Sequence, residues 1–152
     1  MGYELRIDRE AHLARISLLG QTSVEEQQRW LDDIVNHPDW SPGFSILVDT
    51  RKLEGVMLSY DQTRAAAQHA KRLDERLGDG RHAVVGDTDV LFGCGRMGEQ
   101  LSRPCSRQIA VFRHLADAER WLGIWDRADP PTGLRKARGE PATEEVGGGR
   151  KR

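Results

Sequence analysis

The chain has little of what marks membrane, secreted or nucleic-acid-binding proteins. No apolar run approaches the roughly 18 residues of a transmembrane helix. Cysteine occurs only as Cys94 and Cys105, a pair without metal-ligand spacing, so we expect free thiols in a reducing cytoplasm. The 23 basic residues are offset by 24 acidic ones, whereas a general nucleic-acid binder needs a one-sided basic excess. These absences predict a cytoplasmic protein with no membrane span and no nucleic-acid partner.

The composition divides the chain into a body and a tail. Apolar periodicity ends near Asp126, and the remainder holds three of the six prolines, Pro130, Pro131 and Pro141. Such a segment cannot bury enough apolar surface to offset the entropy lost on ordering. We therefore predict one domain over residues 1–125 and a disordered tail over residues 126–152.

Hydrophobic patterning in the body predicts alternating strands and helices. Apolar residues alternate over 3–7 and again over 14–18, which predicts an antiparallel hairpin. Ser23 and Ser59 each open a helix with the spacing of a capping box, and small residues between Ala66 and Leu77 should let the second helix lie close to the sheet. The full order is β-β-α-β-α-β-α-β-α, with about four helices. It predicts an α/β fold built on a mixed sheet.

The most suggestive motif is Gly93-Cys94-Gly95-Arg96-Met97-Gly98, which matches the dinucleotide-binding pattern G-x-G-x-x-G. That mechanism needs the first glycine directly after a strand, where the helix N-terminus meets a pyrophosphate. Here the segment from Asp87 to Phe92 separates the strand from the glycines, and Phe112-Arg113 stands where a ribose-binding acid is required. We therefore predict no cofactor, and we expect the glycines to serve close packing of the third helix.

Charged residues at strand ends form the main candidate site. Asp49 ends the third strand and Asp87 follows the fourth, and Arg51 and Arg96 could lie on the same rim. Ligands of open α/β sheets favour the crevice at the carboxyl ends of the strands. These four groups could form an acid-base or anion site, or equally solvated ion pairs and helix caps.

Other sources of chemistry are weak. The five histidines have no metal-ligand spacing and are expected at the surface or rim. No serine lies in a nucleophile elbow. We predict neither a metal site nor a catalytic residue.

With these elements in place, the chain resembles the STAS superfamily, the domains of anti-sigma-factor antagonists and anion-transporter tails. It is most similar to the stand-alone bacterial branch called STAS/SEC14-like or SpoIIAA-like. The resemblance covers about residues 3–123 and rests on the hairpin, three strand-helix units, the strand end Leu47-Val48-Asp49 and the helix start at Ser59. The segments that carry it are Ala83-Val84-Val85, Phe92-Gly93-Cys94-Gly95-Arg96-Met97 and Val111-Phe112-Arg113 followed by Ala118-Glu119-Arg120-Trp121-Leu122.

The resemblance implies a regulatory role. Antagonist members are switched by phosphorylation of a serine or threonine at the start of the second helix, a position near Ser59 here. This chain keeps Asp49 but lacks the family's D-S-S-G sequence, reading Met57-Leu58-Ser59-Tyr60. A simple N-cap is therefore the alternative role for Ser59.

We predict a non-catalytic regulatory or binding domain, not an enzyme, whose partner is a protein or a small ligand. Its working surface is expected at the rim that carries Asp49, Arg51, Ser59 and Arg96. The loop over residues 51–58 should add exposed apolar side chains there.

Three alternatives stay open. A carrier of small hydrophobic ligands such as lipids, to which the SEC14-like resemblance points, requires an apolar cavity between the sheet and a helix. A small enzyme would use Asp49, Asp87 and Arg96. A homodimer is possible through an exposed Trp30 or Trp125.

Overall fold

The computed structural model describes residues 2–54 and 58–124. Residues 1–122 make up one compact unit, which holds all the elements described. They are β1 (Gly2–Asp8), β2 (Leu13–Leu19), α1 (Val24–Val35), β3 (Ser45–Asp49), α2 (Tyr60–Arg72), α3 (Asp74–Leu77), β4 (Arg81–Val85), α4 (Asp89–Leu101), β5 (Gln108–Phe112) and α5 (Leu115–Leu122). The predicted tail over residues 126–152 lies outside the described residues, so that division stays a prediction.

The five strands form one sheet in which their spatial order equals their order in the chain. β1 and β2 pair antiparallel, with Leu5 opposite Ile16, and each later strand joins the preceding one in parallel. The apolar run Ile46-Leu47-Val48 of β3 is fully buried because helices cover both faces of the sheet at its centre. The predicted α/β class and mixed sheet are confirmed.

The strand register separates two faces of the sheet. One face carries the aligned row Ser17, Asp49, Val85 and Phe112. α5 covers this face, since Glu119 pairs with Arg15 at 3.1 Å and the Trp121 ring lies 5.6 Å from the Phe112 ring. Adjacent residues of a strand point to opposite faces, so the other face carries the aligned row Ile16, Val48, Val84 and Val111, against which α1 and α4 pack.

The main core lies between this second face and α1. Ile34 of α1 is 0% exposed and Trp30 is 3% exposed, and both belong to one cluster with Ile16 and Val48. The expectation of an exposed Trp30 that could support a homodimer is therefore wrong, because the amphipathic helix turns this ring inward. Trp125 lies outside the described residues, and the homodimer stays a prediction.

The second predicted helix is divided in two, which gives five helices rather than about four. α2 ends where Leu73 leaves the helical conformation (φ −97°, ψ 11°), and α3 begins at Asp74. The Asp74 carboxylate accepts hydrogen bonds from Ser106 N at 2.9 Å and Ser106 Oγ at 2.6 Å. These long-range hydrogen bonds lie where α2 ends and α3 begins. The hydrophobic periodicity of the sequence does not reveal such a contact with a distant residue.

The two predicted capping boxes differ in outcome. At Ser59 both arms form, since Ser59 Oγ accepts from Gln62 N and Ser59 N donates to Gln62 Oε1. At Ser23 the hydroxyl accepts from Glu26 N at 3.1 Å, but the return bond is missing. Glu26 is 2% exposed, and its Oε1 has no hydrogen-bond partner among the residues described.

The glycines of α4 serve close packing at one position only. A methyl group added to Gly95 would lie 2.8 Å from Cγ1 of Val111 and 3.5 Å from Cγ1 of Val84. At Gly93 the same methyl would meet no described atom within 4 Å, and at Gly98 only Cγ2 of Thr63 at 3.9 Å. Gly95 is therefore the residue that lets α4 approach the sheet.

Candidate functional site

Asp49 and Arg51 of the predicted rim form a local ion pair. Arg51 Nε donates to Asp49 Oδ1 at 2.9 Å, and a terminal guanidinium nitrogen donates to Oδ2 at 2.8 Å. Burial alone would raise the pKa of Asp49, but the hydrogen bonds from the Arg51 side chain and backbone outweigh it and hold that pKa below its usual range. Asp49 is therefore a stable carboxylate rather than a group ready to exchange protons.

The other two predicted rim residues have different surroundings. Ser59 caps α2, and Arg96 of α4 pairs with Glu99 on its own helix at 3.5 Å. α4 packs on the face of the sheet opposite to that of Asp49, so the register separates Arg96 from the Asp49–Arg51 pair. The roles proposed for these residues stay predictions.

The enzyme alternative requires Asp49, Asp87 and Arg96 to converge on a concave site. Asp87 is exposed, and none of the three lines the cavity described next. Over residues 2–54 and 58–124, no three histidine, cysteine or acidic side chains are grouped as a metal site would need.

A cavity of about 170 Å³ lies between the second face of the sheet and the helices α1, α2 and α4. Its lining is predominantly apolar, and the strands contribute Leu18, Val48, Val84 and Ile109 to it. The helices contribute Trp30, Leu31, Leu91 and Cys94. Leu53 and Leu58 also line it, so these two loop residues, expected to be exposed, are half-buried beside the cavity. Val56 and Met57 of the same loop lie outside the described residues.

The cavity exists because α2 offers only small side chains where it faces the sheet. Thr63, Ala66, Ala67 and Ala70 follow the spacing of one helix face, and all four line the cavity. No residue of α2 is fully buried, and its main packing partners are α1 and α4. The expectation that small residues bring this helix close to the sheet is therefore wrong: they leave space instead.

Three of the polar side chains in the cavity wall, Trp30, His82 and Arg107, lie near one another. Trp30 of α1 and His82 of β4 face each other edge-on with ring centroids 6.4 Å apart, and Arg107 precedes β5. Burial, with the charge of Arg107 as a second cause, lowers the pKa of His82 to about 3. His82 is therefore neutral at physiological pH. The expectation that all five histidines lie at the surface or rim is wrong for this one.

Arg107 is 6% exposed, and carbonyl groups hold its terminal nitrogens. One donates to the oxygen of Leu77 at 3.0 Å, and the other to those of Phe44 at 3.2 Å and Arg81 at 3.1 Å. No acidic side chain of the described chain lies within ion-pair distance of it, and burial lowers its pKa to about 10. Its Nε and the Trp30 Nε1 are buried donors without acceptors in the part of the chain described.

The lining also includes the polar residues Thr22, Gln27, Thr50, Thr63, Glu99 and Ser102, and the thiols of Cys94 and Cys105. Burial raises the pKa of both thiols. They are therefore protonated at neutral pH and behave as small apolar side chains rather than nucleophiles.

The chain is similar in architecture to a solved structure. The crystal structure of an uncharacterized protein from the DUF3478 family of Shewanella loihica PV-4, described as having a SpoIIAA-like fold, is 15% identical in sequence. It superimposes with a TM-score of 0.53 over 80% of this chain and 92% of that one. The chain has a SpoIIAA-like fold. No family model matches the sequence, and no curated protein matches it significantly.

The SpoIIAA-like architecture was predictable from the sequence, but its cavity was not. The polar end of the cavity combines Trp30 of α1, His82 of β4 and Arg107, which directly precedes β5. These residues are far apart in the chain, and the pairing of β4 with its neighbouring strands helps to bring them together. The one sequence feature that could have indicated the cavity was the run of small residues at helical spacing in α2. That run is compatible with close packing of the helix on the sheet and equally with an empty space between them. Across the described residues, no helix is long and apolar enough to cross a bilayer.

Proposed function

We propose that this SpoIIAA-like domain is a non-catalytic binding domain that takes a small, mainly apolar ligand into the cavity beneath α2. The observation that carries the proposal is the cavity itself, with predominantly apolar walls and a few buried polar groups. Ligand sites have this composition, because apolar walls supply the affinity and a few polar groups fix the orientation.

The volume of the cavity limits the size of the ligand. An engineered apolar cavity of about 150 Å³ holds benzene, so 170 Å³ accommodates a molecule slightly larger than benzene. The cavity is partly open to solvent, so a long acyl chain would have to extend out of it. Within the ligand-carrier alternative, a compact molecule is therefore the ligand that the cavity covers most completely.

The experiment measures toluene binding to the full chain by ligand-observed NMR. The variant Ala67→Leu fills the cavity from α2, and we expect it to abolish the toluene signal. The matched control is Gln68→Leu, which adds the same side chain to an exposed position of the same helix and should retain binding. Absence of toluene binding to the unmodified protein, or equal binding by both variants, would refute the proposal.

A second candidate function is docking of a protein partner at the rim predicted from the sequence. Two large apolar side chains are exposed there in the first turns of helices, with Tyr60 of α2 56% exposed and Val90 of α4 62% exposed. Charge reversal of Arg51 and Arg96 should release a partner recovered by affinity purification from the native host. The same reversal at exposed Arg9, in the β1–β2 turn, and Arg120 of α5 should not. Retention of every partner by the rim variant would rule this surface out.

A further inference from the structure

We propose that the ligand of the cavity is a small monocarboxylate, with its carboxylate at the Trp30–His82–Arg107 end and its apolar body against α2 and α4. This inference rests on the proposed function and gives the ligand its chemical class. It follows from the charges and hydrogen-bonding groups of the cavity wall.

Arg107 supplies a buried positive charge that lacks an anion. Its terminal nitrogens already donate to backbone carbonyls, whose partial charges offset only part of the charge of the guanidinium. Buried charges are normally paired, because removal of an ion from water is costly. Asp74 and Asp79 attract Arg107 only from beyond ion-pair distance, and its Nε–H has no acceptor among the described residues. A bound anion would supply a neighbouring negative charge and an acceptor for the Nε–H.

Trp30 and His82 add two further donors at the same end. The Trp30 Nε1–H is buried without an acceptor within the described ranges, and an N–H in that state carries a cost that a bound acceptor relieves. The His82 ring is half-buried and lines the cavity, and in its neutral form it offers one N–H. A carboxylate can accept several hydrogen bonds, so one bound at this end of the cavity would give these donors an acceptor.

The opposite charge, a cationic ligand, is disfavoured. Glu99 is the acidic residue of the lining, but it is already paired with Arg96 at 3.5 Å, and its side chain is 29% exposed. Glu99 Oε1 is buried and accepts no hydrogen bond from the described residues, but the Arg96 guanidinium lies within ion-pair distance of it. Arg107 has no acidic side chain of the described chain that close. An ammonium group in the cavity would meet the Arg107 charge, and Glu99 would hold it only in competition with Arg96.

The experiment compares four ring compounds of similar size on the full chain by isothermal titration calorimetry. They are benzoate, benzamide, benzylamine and toluene. We expect benzoate to bind at least tenfold more tightly than toluene, benzamide to lie between them, and benzylamine to bind more weakly than toluene. Toluene binding without any advantage for benzoate would overturn this inference and leave the proposed function standing. Absence of binding by all four would overturn both.

Two tryptophan variants test where the carboxylate lies. Trp30→Phe removes the N–H and also widens the cavity, so its effect is measured as the ratio of benzoate to toluene affinity, which should fall about tenfold with the lost hydrogen bond to a charged group. The matched control is Trp40→Phe, because the Trp40 Nε1–H donates to the Arg76 carbonyl at 2.9 Å and Trp40 does not line the cavity. An equal ratio in the Trp30→Phe variant and the unmodified chain would refute the assigned orientation. Arg107 is left intact because its carbonyl bonds hold the fold.

Discussion

The three glycines of α4 differ in their surroundings, and alanine substitutions should separate their roles. Replacement of a helical glycine by alanine stabilises a helix by about 0.8–1 kcal/mol when the new methyl group has room. Gly93 has that room, since no described atom lies within 4 Å of an added methyl group, and the 3.9 Å contact at Gly98 is an ordinary van der Waals distance. Gly93→Ala and Gly98→Ala should therefore each raise the free energy of unfolding by up to about 1 kcal/mol.

Gly95→Ala should have the opposite effect. The added methyl group would lie 2.8 Å from one γ-carbon of Val111 and 3.2 Å from the other, too close for either to remain in place. Valine is stiff about χ1, so α4 or β5 must shift, and overpacking of this kind costs about 1–3 kcal/mol. Once the gain in helix propensity is subtracted from this cost, Gly95→Ala should lower the free energy of unfolding by up to about 2 kcal/mol.

Urea unfolding followed by far-UV circular dichroism measures both effects, with Gly93→Ala as the matched control on the same helix. In thermal unfolding, each kcal/mol corresponds to about 2–4 °C for a chain of this size. The double variant Gly95→Ala with Val111→Ala should recover part of the loss, because the second change removes the clashing atoms. If Gly95→Ala stabilises the protein as much as Gly93→Ala does, the close approach of α4 to β5 is wrong.

Three further predictions concern a helix cap and two titrating groups. Ser59→Ala should lower the free energy of unfolding by about 1 kcal/mol, and Ser59→Asp, which can still cap α2, should not; urea unfolding distinguishes them. Arg51→Gln should destabilise the protein at pH 7, because the pKa of Asp49 is held low in the folded state. That difference from the unmodified chain should vanish as the pH falls well below 3.8 and Asp49 is protonated. The His82 ring takes up a proton near pH 6.5 in the unfolded chain but only near pH 3 in the folded one. Stability should therefore fall below pH 6.5 by up to about 1.4 kcal/mol per pH unit, and His82→Phe should flatten that slope in urea titrations at pH 7, 6 and 5.

Local sequence signals were sufficient for the fold because each one has a local cause. Ser59 and Thr88 cap the helices they precede, since the hydroxyl of each accepts from a backbone N–H three residues later. Alternation in β1 and the apolar run of β3 report how many faces each strand buries. These relations span a few residues, so the sequence displays them directly.

The cavity could not be predicted because it depends on distances between elements. The small residues of α2 are compatible with contact or with empty space, and only the packing of α2 against α1 and α4 decides between them. The importance of Arg107 was missed for the same reason. Its carbonyl acceptors at Phe44, Leu77 and Arg81 are distant in the chain, and nothing in the residues around Arg107 indicates them.

The strand order of the sheet bears on how the protein can be assembled during synthesis. Each strand hydrogen-bonds to the strand that precedes it in the chain, so no strand has to wait for a partner made later. The sheet can therefore grow in the direction of translation, with β1 and β2 as a hairpin nucleus and each helix folding over the newest strand. Only the β1–β2 turn is short, and each later connection contains at least one helix, so the hairpin is the pairing with the lowest entropy of chain closure. Arg107 is made late, and its bonds to carbonyls before β3 and at both ends of the α3–β4 connection fasten the starts of the central strands after they have paired.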